Sequence, residues 1–402
     1  MTVSYHGGLF KQLIRWKGSI WKALWIELVV FLVAYYAIWF TYMFYLNERQ
    51  RDTFENVVIA VSYNIDLIPL QFLLGFFINK IVQRWWDQFS TISWPENLMI
   101  QINGCLSGAK FRTSRRAIAR WANLTAALAW GNRSTKIRKR FPTTNHLVRA
   151  GLMTDEERRL YDAYVTPYDK WWLPILWMLG QLRECRRQEA FHPSIYRFLV
   201  KEVESWRRNF QKMLMYDWIS FPLAYTQVVT VATLGYLALC VIGRQLLQAD
   251  LEFSSAAASA NLSASENASA LAEAILQKNL KLVGFNAPVF VPIPTILQFC
   301  FYMGWLKVGE ALMDPFGEDD EDFELNWILD RNMYVCYQMI DFASDQLPAP
   351  CAVSIAQDPE IKVPHTKASV RIKDLGVVNH LADISIKDKD TELVFRNRNP
   401  AS

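Results

Sequence analysis

The densest candidate chemistry in the chain is the stretch Asp314-Pro315-Phe316-Gly317-Glu318-Asp319-Asp320-Glu321-Asp322-Phe323-Glu324. Glu318 to Asp322 are consecutive acids directly after a Pro-Gly turn. Side by side they repel one another, so they require solvent, basic partners or a cation. Calcium takes about six to eight oxygens from carboxylates and backbone carbonyls in a flexible geometry, and this loop offers both kinds. The Asp-x-Asp-x-Asp-Gly spacing of an EF-hand is absent. The competing reading is a helix N-terminus decorated with acids and stabilised by the helix dipole. Composition leaves both open.

A second pattern is Ile68, Phe72 and Phe76, which the four-residue spacing stacks along one helix face beside Gln71 and Gly75. Such a face packs against lipid or a core, or it narrows a pore. If several subunits surround an axis, rings of Ile and Phe form a constriction that water leaves easily. Asn64 and Asp66 lie one turn earlier, and polar groups at membrane depth face an aqueous cavity or a partner.

Enzymatic signatures are missing. There is no Gly-x-Ser-x-Gly elbow, P-loop or dinucleotide fingerprint. The five His are scattered without an HExxH, and none of the six Cys (Cys105, Cys185, Cys240, Cys300, Cys336, Cys351) sits in a CxxC. No catalytic residue is therefore expected. The run Lys136, Arg138, Lys139, Arg140 reads as a solvated helix face or a lipid-headgroup contact. A net charge of only +4 gives no reason to expect a nucleic-acid partner.

These groups sit on an apolar framework. Of 402 residues, 52% are hydrophobic, 14% aromatic and 20% charged, which excludes disorder, collagen and a small disulfide scaffold. Four segments approach the roughly 20 residues that a spanning helix needs: residues 21–46, 54–82, 218–242 and 289–308. The second is interrupted by Asn64, Asp66 and Pro69. Trp and Tyr near segment ends fit interfacial anchoring. No removable leader is expected from Met1–Lys17, which lacks a short apolar core before a small-residue cleavage site.

Between the second and third spans lies a helical region, 84–215, with helices expected at 114–128, 154–163 (capped by Thr154) and 193–215. Lys11, Arg15, Lys17 and Lys22 precede the first span, Arg84 follows the second and Lys212 precedes the third. Basic flanks of this kind predict cytosolic termini and a cytosolic central region. The loop 245–288 then faces outside. Its Ala/Ser/Asn-rich part carries sequons at Asn261 and Asn267, which that placement makes usable for glycosylation. A further helix is expected at 322–347, and residues 353–402 read as a polar cytosolic tail.

The stretches Arg84-Trp85-Trp86-Asp87-Gln88, Trp94-Pro95, Lys139-Arg140-Phe141-Pro142, Tyr216-Asp217-Trp218-Ile219-Ser220, Tyr225-Thr226-Gln227-Val228-Val229-Thr230-Val231, Gly304-Trp305-Leu306-Lys307-Val308 and Asp314–Glu324 resemble the bestrophins. The resemblance runs in order over about residues 1–350. Bestrophins are calcium-activated anion channels, mainly for chloride, built as pentamers around one pore. The resemblance therefore implies an all-α membrane protein of the plasma membrane. It would have four transmembrane helices and a large helical cytosolic region, and would assemble as a homopentamer with a channel core over 1–352.

It also implies residue roles. The family's neck matches Ile68, Phe72 and Phe76. Its calcium clasp matches the carboxylates of Asp319 and Asp322 and the carbonyls of Ala311 and Asp314, with one more carbonyl from the N-terminal segment. The cytosolic aperture, often Val or Ile after a Pro, matches Ser194 after Pro193. The chain departs from the family in a shorter stretch between Tyr5 and Trp16 and in a longer outer loop. The implied partners are a second copy of the chain, the bilayer and inorganic anions. A non-conducting calcium-binding scaffold or carrier is the alternative.

Overall fold

A computed structural model of the chain describes residues 6–7, 9–65, 69–247, 292–341, 365–367, 377–378 and 393–394. Asp66, Ile68, the sequons at Asn261 and Asn267 and most of the tail lie outside the described residues. The chain divides into two compact units: Ser19–Trp86 with Ser220–Met313, and Met1–Gly18 with Asp87–Ile219 and Asp314–Ser402.

In chain order the second of these units opens with β1 (His6–Gly7) and α1 (Leu9–Leu13). The apolar unit starts at Ser19, whose hydroxyl caps the 25-residue α2 (Ile20–Phe44) by a long bond from the Lys22 N–H at 3.5 Å. α3 (Glu48–Ile65) and α4 (Leu70–Ser90) follow, with axes bent by 47°. The single span expected over 54–82 is thus a bent pair. Pro69 has no N–H to donate and disfavours helical backbone in the residue before it, so a straight helix cannot run through it.

α12 (Leu223–Gly243) packs on α2 and α3, and α13 (Ile293–Met313) packs on α2 and α12. The helices that lie between α4 and α12 in the chain belong to the other unit. Leu24, Phe31, Leu74, Phe77, Tyr236, Phe299 and Tyr302 form the apolar core. A Cβ at Gly309 would stand 2.9 Å from Phe77 Cε1, so this close approach requires glycine. Several polar groups find partners within the unit. Tyr35 Oη donates to the Arg244 carbonyl at 2.9 Å, Gln71 Nε2 donates to Tyr302 Oη at 3.1 Å, and Lys307 Nζ reaches Glu27 at 2.9 Å and Glu310 at 3.1 Å.

Among the described residues, α2 and α12 are long and apolar enough to cross a membrane, and the bent pair makes a third if it counts as one span. α13 is long enough, but Gln298, Lys307 and Glu310 dilute its apolar character. Trp25, Val29, Val33, Phe40 and Phe44 of α2 are all exposed on the protomer, a surface that demands lipid or another chain.

The other unit is built round α6 (Arg112–Gly131), in which Ile118, Ala119, Ala122, Leu124, Ala129 and Trp130 are buried. Around it lie α5 (Glu96–Cys105), α7 (Thr135–Arg140), α8 (Thr144–Arg149), α9 (Asp155–Ala163), α10 (Leu173–Arg187), α11 (Pro193–Trp218) and α14 (Leu325–Asp341). Two two-residue strand pairs complete it: β1 with β3 (Val377–Val378), and β2 (His365–Thr366) with β4 (Leu393–Val394). The expected helices at 114–128, 154–163 and 193–215 correspond to α6, α9 and α11; the one expected at 322–347 begins later, as α14 at Leu325, and its residues 342–347 lie outside the described residues.

Thr154 and Glu157 close a capping box at the start of α9. The same Glu157 carboxylate accepts from Arg120 Nη1 at 2.5 Å, Arg120 Nη2 at 2.7 Å and Trp121 Nε1 at 2.6 Å. Burial alone would raise its pKa, but the bonds from Arg120, Thr154 and Trp121 hold it below the usual carboxylate range. Glu157→Ala leaves Arg120 largely buried without its partner and is expected to cost about 3 kcal/mol, read as a fall of several degrees in the thermal midpoint. Because the folded pKa is depressed, this stabilisation is present above the unfolded value of about 4.3 and is lost as pH falls through the folded one. A variant that melts with the wild type at pH 7 would remove the network from the account.

Candidate functional site

The acidic loop joins α13 to α14. Phe316 and Phe323, at 0% and 2% exposure, meet edge to face at 5.4 Å, and Phe89 lies 5.4 Å from Phe323. The Phe323 N–H donates to the Pro315 carbonyl at 2.8 Å, closing the loop. Pinned by its two phenylalanines, the loop carries Asp322 inside at 1% exposure. Asp322 Oδ2 accepts the Asp319 N–H at 2.6 Å, whereas the equally buried Oδ1 has no partner. Burial pushes the Asp322 carboxyl up to about 6. The Asp319 N–H opposes the rise, and the Asp319 and Asp314 charges add to it. Glu321 is raised by burial and by Asp320. The N-terminal segment arrives at the same place, with the Gly18 N–H donating to Asp320 Oδ2 at 3.2 Å and Gly18 at φ 66°.

The outer acids of this region are neutralised by a basic segment. Arg133 bridges Asp217 and Asp314, each at 2.7 Å, and its guanidinium lies 5.3 Å from the Phe316 ring centre. Lys136 meets Glu324 at 2.7 Å, Lys139 pairs with Glu318, and Arg140 meets Asp330 at 2.7 Å. Arg138, Lys139 and Arg140 are exposed, as a solvated helix face requires; Lys136, Lys139 and Arg140 also pair with acids about 180 residues away, partners that the run by itself did not name.

A divalent cation fits the loop on donor chemistry. Among the described residues no three His, Cys, Asp or Glu side chains converge, so carboxylates alone make no cage. Backbone carbonyls must contribute, as calcium allows. An orphaned, buried carboxylate oxygen is costly unless a cation or water takes it. A Cβ at Gly317 would stand 2.9 Å from Asp322 Oδ2 and 3.9 Å from the Asp314 carbonyl oxygen, so glycine keeps space beside both. Asp319 is exposed beside them, and Ala311 sits in the last turn of α13.

On α4 the buried residues Leu70, Leu74, Phe77 and Ile81 form one face. Phe72 and Phe76 lie on the other, 65% and 55% exposed, with ring centres 4.5 Å apart. They are thus no part of the protomer's own core. Asn79, Lys80 and Gln83 are exposed and continue the same helical face. These three were missed from the sequence, although their spacing from Phe72 and Phe76 was the available signal. Ser194 is exposed in the first turn of α11. The His192 ring caps this turn, accepting the Ser194 N–H at 3.3 Å and standing 2.8 Å from Ser194 Oγ.

A family model described as bestrophin, RFP-TM, chloride channel matches residues 1–342. The chain belongs to the bestrophin family. Bestrophin homolog 14 of Caenorhabditis elegans is 39% identical over 394 residues, covering 98% of this chain and 89% of the worm protein. Human bestrophin-1 is 36% identical over 403 residues, covering 98% of this chain but 64% of the human protein. A crystal structure of a bacterial bestrophin homolog from Klebsiella pneumoniae, carrying a tryptophan-to-alanine substitution, aligns with a TM-score of 0.57 over 81% of this chain and 99% of that one. Its 14% identity speaks for the bestrophin fold alone.

Proposed function

We propose that this bestrophin is a calcium-activated anion channel, permeable to chloride and assembled as a homopentamer in the plasma membrane. The observation that carries the reading is the face of α4 that presents Phe72 and Phe76 away from the protomer core and continues into Asn79, Lys80 and Gln83. A purely lipid-facing helix does not expose a lysine, an amide and another amide in succession. Around an axis, Phe72 and Phe76 repeat as apolar rings, joined by Ile68, and exclude water when closed. Asn79 and Gln83 give hydrogen bonds to a passing ion, and Lys80 adds positive potential. Selection rests on dehydration cost, so large, weakly hydrated anions pass more readily than chloride. Ser194, at the start of α11, supplies a hydroxyl ring at a second aperture. Four spans (α2, the bent pair, α12 and α13) with cytosolic termini complete the proposed topology.

The carboxylates of Asp319 and Asp322 and the carbonyls of Ala311 and Asp314 would hold calcium. Bound there, calcium supplies charge that neutralises the two carboxylates and oxygen coordination that draws the loop together. The loop's own part is to bury Asp322 and to offset the burial of its charge with the Asp319 N–H, and the chain enters the loop straight from α13. Asp319→Ala is expected to move half-activation to at least about tenfold higher calcium while the maximal current stays near wild type. An unchanged dose response removes these residues from calcium sensing.

A further inference from the structure

Asp314 carries two kinds of oxygen, and the structure sends them in opposite directions. Its carboxylate is held by Arg133 at 2.7 Å, while its carbonyl oxygen lies on the Gly317 side, where Asp322 Oδ2 also lies. Arg133 is well placed to enforce this sorting. Its side chain is 12% exposed, its second nitrogen is tied to Asp217 in the last turn of α11, and its guanidinium stacks on the buried Phe316. A planar fork with two carboxylates and a ring as fixed points has little freedom left.

Resting on the calcium reading above, we propose that Arg133 is a positioning residue of the cation site. It takes the Asp314 carboxylate out of the loop so that the Asp314 carbonyl remains available inside it. Two effects of removing Arg133 oppose each other. Losing a nearby positive charge strengthens cation binding, and losing the clamp weakens it. The Asp314 carboxylate is 61% exposed, so its freed charge is screened, while a carbonyl that must be re-ordered on binding costs affinity directly. The clamp therefore dominates.

The test is calcium binding to the purified full-length protein in nanodiscs by titration calorimetry, with flux recorded in parallel. Arg133→Ala is expected to weaken binding about tenfold with maximal flux retained. Asp314→Asn keeps the carbonyl but loses the ion pair, so it should weaken binding by a similar factor. The double variant should be no weaker than either single one, because both remove the same clamp. Arg133→Lys keeps the charge but lacks the planar fork that is fixed by two carboxylates and the Phe316 ring together, so it should recover only part of the loss. If Arg133 acts only through its charge, Arg133→Ala tightens binding while Asp314→Asn weakens it, and the proposal is overturned. It is also overturned if Arg133→Ala binds like wild type while Asp319→Ala does not, which leaves the calcium reading intact. Absence of calcium binding by the wild type overturns both.

Discussion

Phe72→Ala is expected to yield anion currents that persist when calcium is removed. Phe72 is 65% exposed on the protomer, so its truncation costs that fold little and acts on whatever the ring faces in the assembly. With the closed state favoured about 99 to 1 without calcium, reaching equal populations requires a shift of about 2.7 kcal/mol per assembly. Each lost aromatic contact is worth about 0.5–1.5 kcal/mol, so over the proposed ring of five the sum runs from about 2.5 to about 7.5 kcal/mol, close to that shift at its lower end and well beyond it at its upper. Phe76, whose ring centre is 4.5 Å from that of Phe72, should behave alike. Calcium-free currents of at least about half the wild-type maximum are predicted in patch recordings. Currents that remain strictly calcium-dependent would place the gate elsewhere.

Gly317→Ala is expected to cripple calcium sensing without touching a proposed ligand. The added Cβ would stand 2.9 Å from Asp322 Oδ2. Asp322 cannot swing freely, being 1% exposed beside Phe323 and bonded to the Asp319 N–H at 2.6 Å. Either that bond breaks or the loop opens, and both disturb Asp319 and Asp322 together. Half-activation should rise by at least about tenfold, equivalent to about 1.4 kcal/mol. The Phe316–Phe323 anchor lies outside the clash, so expression and maximal current should survive. A wild-type calcium midpoint in this variant would contradict the loop's role.

The helical framework was largely legible because long apolar runs and capping residues are local signals. Thr154 before Asp155-Glu156-Glu157 announced α9 and formed its capping box. Phe72 and Phe76 could be put on one face by spacing, but spacing cannot say whether a face turns inward; the burial of Leu74 and Phe77 opposite them decides that within the protomer. The bend between α3 and α4 was signalled by Pro69, although its angle depends on how both helices pack. Least legible was the pairing of Arg133, Lys136 and Lys139 with Asp314, Glu324 and Glu318. The sequence showed a basic run and an acidic run, each needing counter-charge, but their meeting is tertiary, set by α7 and the loop packing in the same unit. The buried, half-satisfied Asp322 was equally hidden, since five adjacent acids look alike until the flanking phenylalanines choose which one turns inward.

The most direct measurement is chloride flux from liposomes containing only the purified protein, with calcium titrated on the face that exposes the acidic loop. The account predicts little flux without calcium, a saturable rise as calcium is added, and faster flux for large, weakly hydrated anions than for chloride. Protein that binds calcium yet passes no anion at any concentration would contradict it and favour a non-conducting scaffold.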